Sequence, residues 1–480
     1  MRVACAGAPP GRAGRQWRVG TVIRPRAVLC AIAAVAALGF GQAASAQLPA
    51  VQLPNLPRVD LPAVTQTATD TVTGTVNGVT DRLGVERLAD LRQLRIRELL
   101  RTQRANVERD PAGAPILRAE IVAFSPTAAA LDNARAAGFT VARERVLEGL
   151  DARVVVLRAP ENMSTRRALS RLRAIDPNGA YDFNHIYLDS GDVGGKNVRL
   201  AEVTQSAEAQ PAGAVAAASG MRLGLVDGGI DVTHPVFKDA HIHQHGCDDK
   251  SVPSAHGTAV ASLMVGRSEL FHGAAPGAEL FAADVYCGLG TGGAVDAVVD
   301  GMAWIARQRV PVINVSLVGP RNVALENVVR VVIARGFIVV AAVGNDGPAA
   351  KPLYPASYPG VVGVTGVDAR QKVLVEACRG PQVDFAAPGA DMAAAMMAPS
   401  FAAVRGTSFA APIVAGLLAA QVREPDAATS EKAIAQLVAQ AVDLGSRGVD
   451  KTYGNGLVGG SLRVAPVLAL LSPPAGTKHN

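Results

Sequence analysis

Three short segments carry a carboxylate, an imidazole and a hydroxyl in the chain order Asp, His, Ser. They are Val226-Asp227-Gly228-Gly229-Ile230-Asp231, His256-Gly257-Thr258-Ala259-Val260-Ala261 and Gly406-Thr407-Ser408-Phe409-Ala410-Ala411-Pro412. A serine hydroxyl is a weak nucleophile at neutral pH and needs a base to take its proton. His256 is such a base, since an imidazole titrates near neutrality. Asp227 would fix the tautomer of the ring and stabilise the imidazolium as it forms. Gly406 lets the backbone turn sharply just before Ser408. Each segment alone has a plain reading: Asp-Gly as a turn, Gly-Thr-Ser as a helix cap. Their order argues for one site, together with Ala341-Ala342-Val343-Gly344-Asn345-Asp346-Gly347 between the last two and Tyr453-Gly454-Asn455-Gly456-Leu457-Val458 beyond them.

With these motifs the chain resembles the subtilisin-like serine proteases over roughly 221–458. The resemblance implies an endopeptidase that works through a Ser408–His256–Asp227 triad and an acyl-enzyme. The Asn345 amide and the Ser408 backbone N–H would donate to the tetrahedral intermediate. It also implies that substrate backbone pairs with two segments, Ser316-Leu317-Val318-Gly319 and Ala341-Ala342-Val343-Gly344, whose ends wall the main specificity pocket. The family commonly has Gly where Val318 stands. A valine there narrows the pocket and favours small or medium apolar residues before the scissile bond. The chain departs from the family at Gly228, where Thr or Ser is frequent, and at Ala259-Val260-Ala261-Ser262, where the His motif often continues His-Val-Ala-Gly; neither touches the triad. Two other functions fit the same residues: a non-catalytic binding protein on a protease scaffold, and a dedicated maturation protease for one partner polypeptide.

No metal site is assigned. Calcium is the one cofactor the resemblance allows, yet no acidic loop has calcium-ligand spacing, and Asp231, Asp248 and Asp249 are scattered. His241, His243, His245 and Cys247 alternate and would share one face of a strand, with side chains suited to zinc or copper. A solvated strand and loop is the plainer reading.

Composition sets the compartment. Residues 1–46 carry six arginines and no acid, an apolar run over 27–41 and Ala44-Ser45-Ala46, the pattern of a cleaved export signal. The apolar run is too short for a stable membrane anchor. Of 47 basic and 41 acidic residues in the whole chain, those six arginines account for the excess, so the remainder is neutral and gives no charge-based case for nucleic acid. We therefore expect a periplasmic or secreted monomer acting on polypeptide substrates. Cys5 and Cys30 leave with the signal. Of Cys247, Cys287 and Cys378, the first two are expected to bridge and the third to stay free.

The elements that must position the site follow from periodicity. Residues 47–116 read as a Pro/Thr-rich linker and then an amphipathic helix, with Val85, Leu88, Leu91, Leu94 and Leu99 on one side and a solvated polar face on the other. Residues 117–190 read as strand, helix, strand, strand, helix, strand, a ferredoxin-like α+β unit. Placed just ahead of a subtilisin-like domain, it resembles that family's propeptide, which acts as an intramolecular inhibitor by laying its C-terminal tail in the cleft. Residues 191–220 are Gly-, Ala- and Ser-rich and are expected to be a flexible junction, with self-cleavage within about 187–205. Residues 221–471 alternate continuous apolar strands with helices, an α/β doubly wound, mostly parallel sheet buried on both faces. Residues 472–480 form a tail.

Overall fold

The computed structural model describes residues 92–200, 220–247, 250, 252–289, 291, 293–397 and 399–468. The export-signal segment, the linker, residues 201–219 of the junction and the tail lie outside the described residues. No helix among those described is long and apolar enough to cross a membrane.

The C-terminal half is built on seven strands whose pairings are all parallel. Across the sheet they run Phe385–Pro388, Val362–Val367, Ile338–Ala342, Val312–Val315, Arg222–Asp227, Glu279–Asp284 and Ile242–His245. Side-chain alternation divides the core. Leu223 and Leu225 face helices Ala255–Val265 and Thr407–Ala419, whereas Val226, Ile313 and Val315 face helices Val295–Arg307 and Val323–Ala334. Both faces are thus covered, which is why these strands read as unbroken apolar runs.

Ahead of this domain stand Pro115–Phe124, Ala128–Ala136, Thr140–Leu147, Ala152–Arg158, Thr165–Ile175 and Ala180–Asp189. Thr127 and Ser164 cap the two helices with their side chains. The strands lie fourth, first, third, second, antiparallel throughout, as a ferredoxin-like sheet requires. One face packs on the unit's own helices through Ile121, Val155, Leu157 and Leu169. The other, with Val122, Val154 and Val156, joins the core formed by the C-terminal half's helices at Val295–Arg307 and Val323–Ala334.

Polar groups complete this contact. Asp182 Oδ2 accepts from Val323 N at 3.0 Å, at the N-terminus of a helix, where a carboxylate is favoured. Arg143 binds Glu120 through two nitrogens, at 3.0 and 2.6 Å, and Asp296 through its Nε at 3.0 Å. Asn184 Nδ2 donates to the same two acids. Burial opposes the charge on Asp296, but Arg143, Asn184 and Arg145 outweigh it and hold its pKa below the usual 3.8.

Three expectations are corrected. The junction is not wholly irregular: Asp192–Leu200 is a strand, because Phe401–Arg405 and Pro466–Leu468 satisfy its backbone on either side despite Gly194 and Gly195. A strand at Val107–Arg109 precedes the ferredoxin-like unit where only linker and helix were expected. The amphipathic helix is described over 92–102, and there Ile96 and Leu99 are buried while Leu94 is 47% exposed. Its arginines are not simply solvated, as described below.

Arg143→Ala should therefore destabilise the uncut chain by about 3 kcal/mol, since it strips a charge partner from two buried acids. Denaturant unfolding of the Ser408→Ala background measures this. Because the pKa of Asp296 is depressed, its contribution is complete above the ordinary carboxylate value and is lost only as pH falls through the lowered one. In a chain nicked near residue 190 by an added protease, the two halves should stay associated through mild acid and separate only below about pH 4, as read by gel filtration against pH.

Candidate active site

Asp227 closes the strand Arg222–Asp227 at its C-terminal end, where open parallel sheets place their sites. It is fully buried, and its Oδ1 accepts from Gly228 N at 2.7 Å. His256 is the second residue of helix Ala255–Val265, which Ser254 caps by accepting from Gly257 N. His256 Nδ1 lies 2.9 and 3.0 Å from the two Asp227 oxygens. Its ring packs against Phe409 at 5.3 Å, and its Nε2 is buried without a hydrogen-bond partner.

Ser408 is the second residue of helix Thr407–Ala419, which runs through Pro412. Proline has no N–H, so the Ser408 carbonyl four residues earlier lacks its helical partner. Ser316 Oγ fills the gap, donating to Ser408 O at 3.0 Å, while Ser408 Oγ donates to Ser316 O at 3.0 Å. Asn314 Nδ2 donates to Ser316 Oγ at 2.8 Å and fixes the exchange.

Gly406 has φ 141°, and a Cβ there would stand 2.7 Å from Gly191 Cα, 2.8 Å from Asn345 Nδ2 and 2.9 Å from Ser190 O. Only glycine lets those three groups meet. Asn345 Oδ1 accepts from Thr407 N at 3.2 Å, which turns Nδ2 toward this point. A bidentate Arg405–Glu376 pair, with both bonds at 2.9 Å, holds the strand that leads into Gly406. Glu376 is fully buried, and its carbonyl accepts from Gly347 N, tying the Asn345 loop to the same anchor.

The chain itself lies in the cleft. Asp189 and Leu188 pair antiparallel with Leu317 and Val318, and Tyr187 and Ile186 with Gly293 and Ala294. Ser190 Oγ is 2.7 Å from Ser408 Oγ, and Ser190 N donates to Ser408 Oγ at 3.3 Å. Beyond Gly191 the strand Asp192–Leu200 continues between Phe401–Arg405 and Pro466–Leu468.

Residues 218–456 match the subtilase family. The chain is 30% identical over 256 residues to subtilisin of Bacillus pumilus, covering 50% of this chain and 89% of that protein. It is 33% identical over 249 residues to subtilisin Savinase of Lederbergia lenta, again covering 50% and 89%. The chain belongs to the subtilase family, the subtilisin-like serine proteases. It also matches subtilisin E of Bacillus subtilis (strain 168) at 30% identity over 256 residues, spanning 64% of that protein's length. In fold it is similar to fervidolysin of Fervidobacterium pennivorans, described as a keratinolytic enzyme related to subtilisin. That match has a TM-score of 0.60 and 19% identity, and covers 72% of this chain and 61% of the other.

Within this subtilase, Asp227, His256, Asn345 and Ser408 converge, with Ser316, Leu317 and Val318 lining the channel beside them. Gly319 exchanges backbone hydrogen bonds with Tyr354. The second pairing segment is corrected. Ala341 and Ala342 lie inside the parallel sheet with a strand on each side, and Val343 N donates to Val364 O, so no free edge is left to a peptide. Gly344 N donates to Thr407 Oγ1. Gly293–Ala294 takes the pairing role instead. The run Gly288-Leu289-Gly290-Thr291-Gly292-Gly293 signals an open backbone there, but only the sheet order makes it an edge.

Cys247 and Cys287 are bridged with a Cα–Cα distance of 5.1 Å. They and Asp284 are the only group among the described residues with three potential metal-ligand atoms within 4.8 Å, and a disulfide has no thiolates to give. The alternating histidines do not converge either: His243 stacks on Phe281 and lies 2.7 Å from Glu279, whereas His245 stacks on Trp304. Of the acids considered for calcium, Asp231 accepts from Thr233 N and Oγ1, and Asp248 and Asp249 lie outside the described residues.

Cys378 is free and buried behind Gly344, and burial pushes its thiol up to about 12. At pH 8 only about one thiol in ten thousand would be ionised, so Cys378 should resist iodoacetamide in the native protein and react on unfolding. Alkylation of the native protein followed by peptide mass mapping checks this; rapid native labelling would contradict the burial.

Proposed function

We propose that the protein is an exported serine endopeptidase made as a self-inhibited precursor, and that it cuts itself between Ser190 and Gly191. The observation that carries this reading is the chain threaded through the cleft, with the Ser190 carbonyl beside Asn345 Nδ2 and the Ser190 side chain on the Ser408 hydroxyl. Export rests on the signal-like segment 1–46, and calcium has no part in the reading.

Ser408 Oγ turns from Ser316 O toward the unpaired Nε2 of His256 and gives up its proton there as it attacks the Ser190 carbonyl carbon. Asp227 holds the ring by Nδ1 and stabilises the resulting imidazolium. The oxyanion accepts from Asn345 Nδ2 and the Ser408 backbone N–H, at the positive end of a helix. The C–N bond then breaks, His256 returns the proton to the Gly191 nitrogen, and Ser190 stays on Ser408 as an ester. Water, deprotonated by His256, hydrolyses that ester and frees the Ser190 carboxylate. An added polypeptide would take the same path once residues 186–190 leave the channel.

The channel asks for an extended substrate, because recognition runs through backbone pairing on both edges. Val318 adds branched bulk to the wall beside the scissile residue, and the chain's own residue there is a small serine. Small or medium uncharged residues should precede the cut.

Ser408→Ala should abolish casein hydrolysis while leaving the circular dichroism spectrum unchanged; residual turnover at the wild-type rate would sink the assignment. Asn345→Ala should cost about 100- to 1000-fold in kcat with little change in KM, the magnitude subtilisin itself shows. N-terminal sequencing of active protein should return Gly191, and the same cut in purified Ser408→Ala would mean that another protease makes it. On a peptide library, Val318→Gly should shift preference toward Phe and Tyr by about 10- to 200-fold. A wild type that already favours Phe or Arg would refute the narrowed pocket.

A further inference from the structure

The helix over 92–102 lies outside the ferredoxin-like unit, yet it reaches the cleft. Ile96 and Leu99 are buried against Ile186 and Leu188 of the tail strand and against Val107. Arg92 Nη1 binds Asp346 Oδ2 at 2.6 Å, with both side chains nearly buried, which moors the helix beside Asn345. One turn on, Arg95 is ion-paired with the Asp189 carboxylate, and its Nη1 and Nη2 donate to the carbonyls of Asp189 and Gly191, each at 3.4 Å.

We propose that Arg95 is a positioning residue for self-cleavage, holding the chain on both sides of the Ser190–Gly191 bond so that the carbonyl between them faces Asn345 and Ser408. This deepens the self-cleavage reading and rests on it. Carbonyls alternate from side to side along an extended chain. Those of residues 189 and 191 therefore point one way and that of residue 190 the other. A planar guanidinium with several fixed donors can bind the outer two together, as a flexible ammonium cannot. Holding 189 and 191 from the helix side sets the Ser190 carbonyl toward Gly406, where its oxygen and Asn345 Nδ2 both lie within 3 Å of one point. The Asp189 carboxylate supplies the charge that draws Arg95 there, so the two should act as one device. Arg101, on the same helix, pairs only with the exposed Glu98 and provides the control.

The test follows the first-order appearance of the Gly191 N-terminus as the full chain refolds. Arg95→Ala should slow it roughly ten- to a hundredfold. Asp189→Ala should slow it by a similar factor, and the double variant should be no slower than the worse single one. Arg95→Lys should recover part of the rate, and Arg101→Ala should match wild type. Once the cut N-terminal piece, which carries all of these positions, has been separated in acid and removed, kcat and KM on an added peptide should be unchanged in every variant, which a general folding defect would not allow. Wild-type cleavage by Arg95→Ala, or multiplying losses in the double variant, overturns the proposal. If Arg95→Ala does not refold, Asp189→Asn puts the same question from the other partner. A wild-type chain that never yields Gly191 counts against self-cleavage itself. The clamp is then judged by hydrogen exchange of amides 188–192 in Ser408→Ala, with and without Arg95→Ala. Faster exchange without Arg95 supports the clamp, and equal exchange overturns it.

Discussion

The structure depends on one set of backbone hydrogen bonds, those that hold residues 186–189 as an antiparallel strand between Gly293–Ala294 and Leu317–Val318. Main-chain pairing on both edges leaves an extended peptide little freedom to slide or turn. The register of Leu188 on Val318 and Asp189 on Leu317 brings Ser190 to the Ser408 hydroxyl. A slip of one residue would reverse every side chain and carbonyl. Around this strand the two halves of the chain are organised: the ferredoxin-like sheet because it supplies the strand, the parallel sheet because it supplies the site at the end.

Ser408 is held by a reciprocal arrangement with Ser316, made available by Pro412 in the helix. A proline at this depth ordinarily weakens a helix. Here the orphaned carbonyl has a fixed donor, so the loss is offset and the first turn of the helix is tied to the edge of the peptide channel. The Arg405–Glu376 pair does similar work on the other side of Gly406. A buried pair of this kind adds little net stability, since desolvation takes back most of the Coulomb gain, but it fixes geometry.

The interface between the halves is both apolar and ionic. Val122, Val154 and Val156 continue the core of the catalytic half, while Arg143, Asp296, Glu120 and Asn184 form a satisfied polar network at its edge. Its members lie on both sides of the Ser190–Gly191 bond and none of them is at that bond, so the contact does not depend on the bond being intact.

The sequence by itself determined the residue types of the site, their order, and the alternation of strands and helices that carries them. Asp227, His256 and Ser408 could be named because their types and chain order, with the Asn345 segment between the last two, leave local marks: an apolar run ending in Asp-Gly, His-Gly-Thr, and a glycine just before Thr407-Ser408. The ferredoxin-like order was legible for the same reason, since each of its helices begins at a Thr or Ser cap. Only the tertiary structure decided which edges were free. Ala341-Ala342-Val343 and Gly293-Ala294 are both short stretches of small residues that adjoin a glycine, Gly344 and Gly292; strand order alone buries the first and opens the second. Likewise, no local pattern distinguishes Arg95 from the solvated arginines near it. Its role comes from the approach of residues 189 and 191, nearly a hundred positions away along the chain. Contacts of that range are set by packing, which periodicity does not encode.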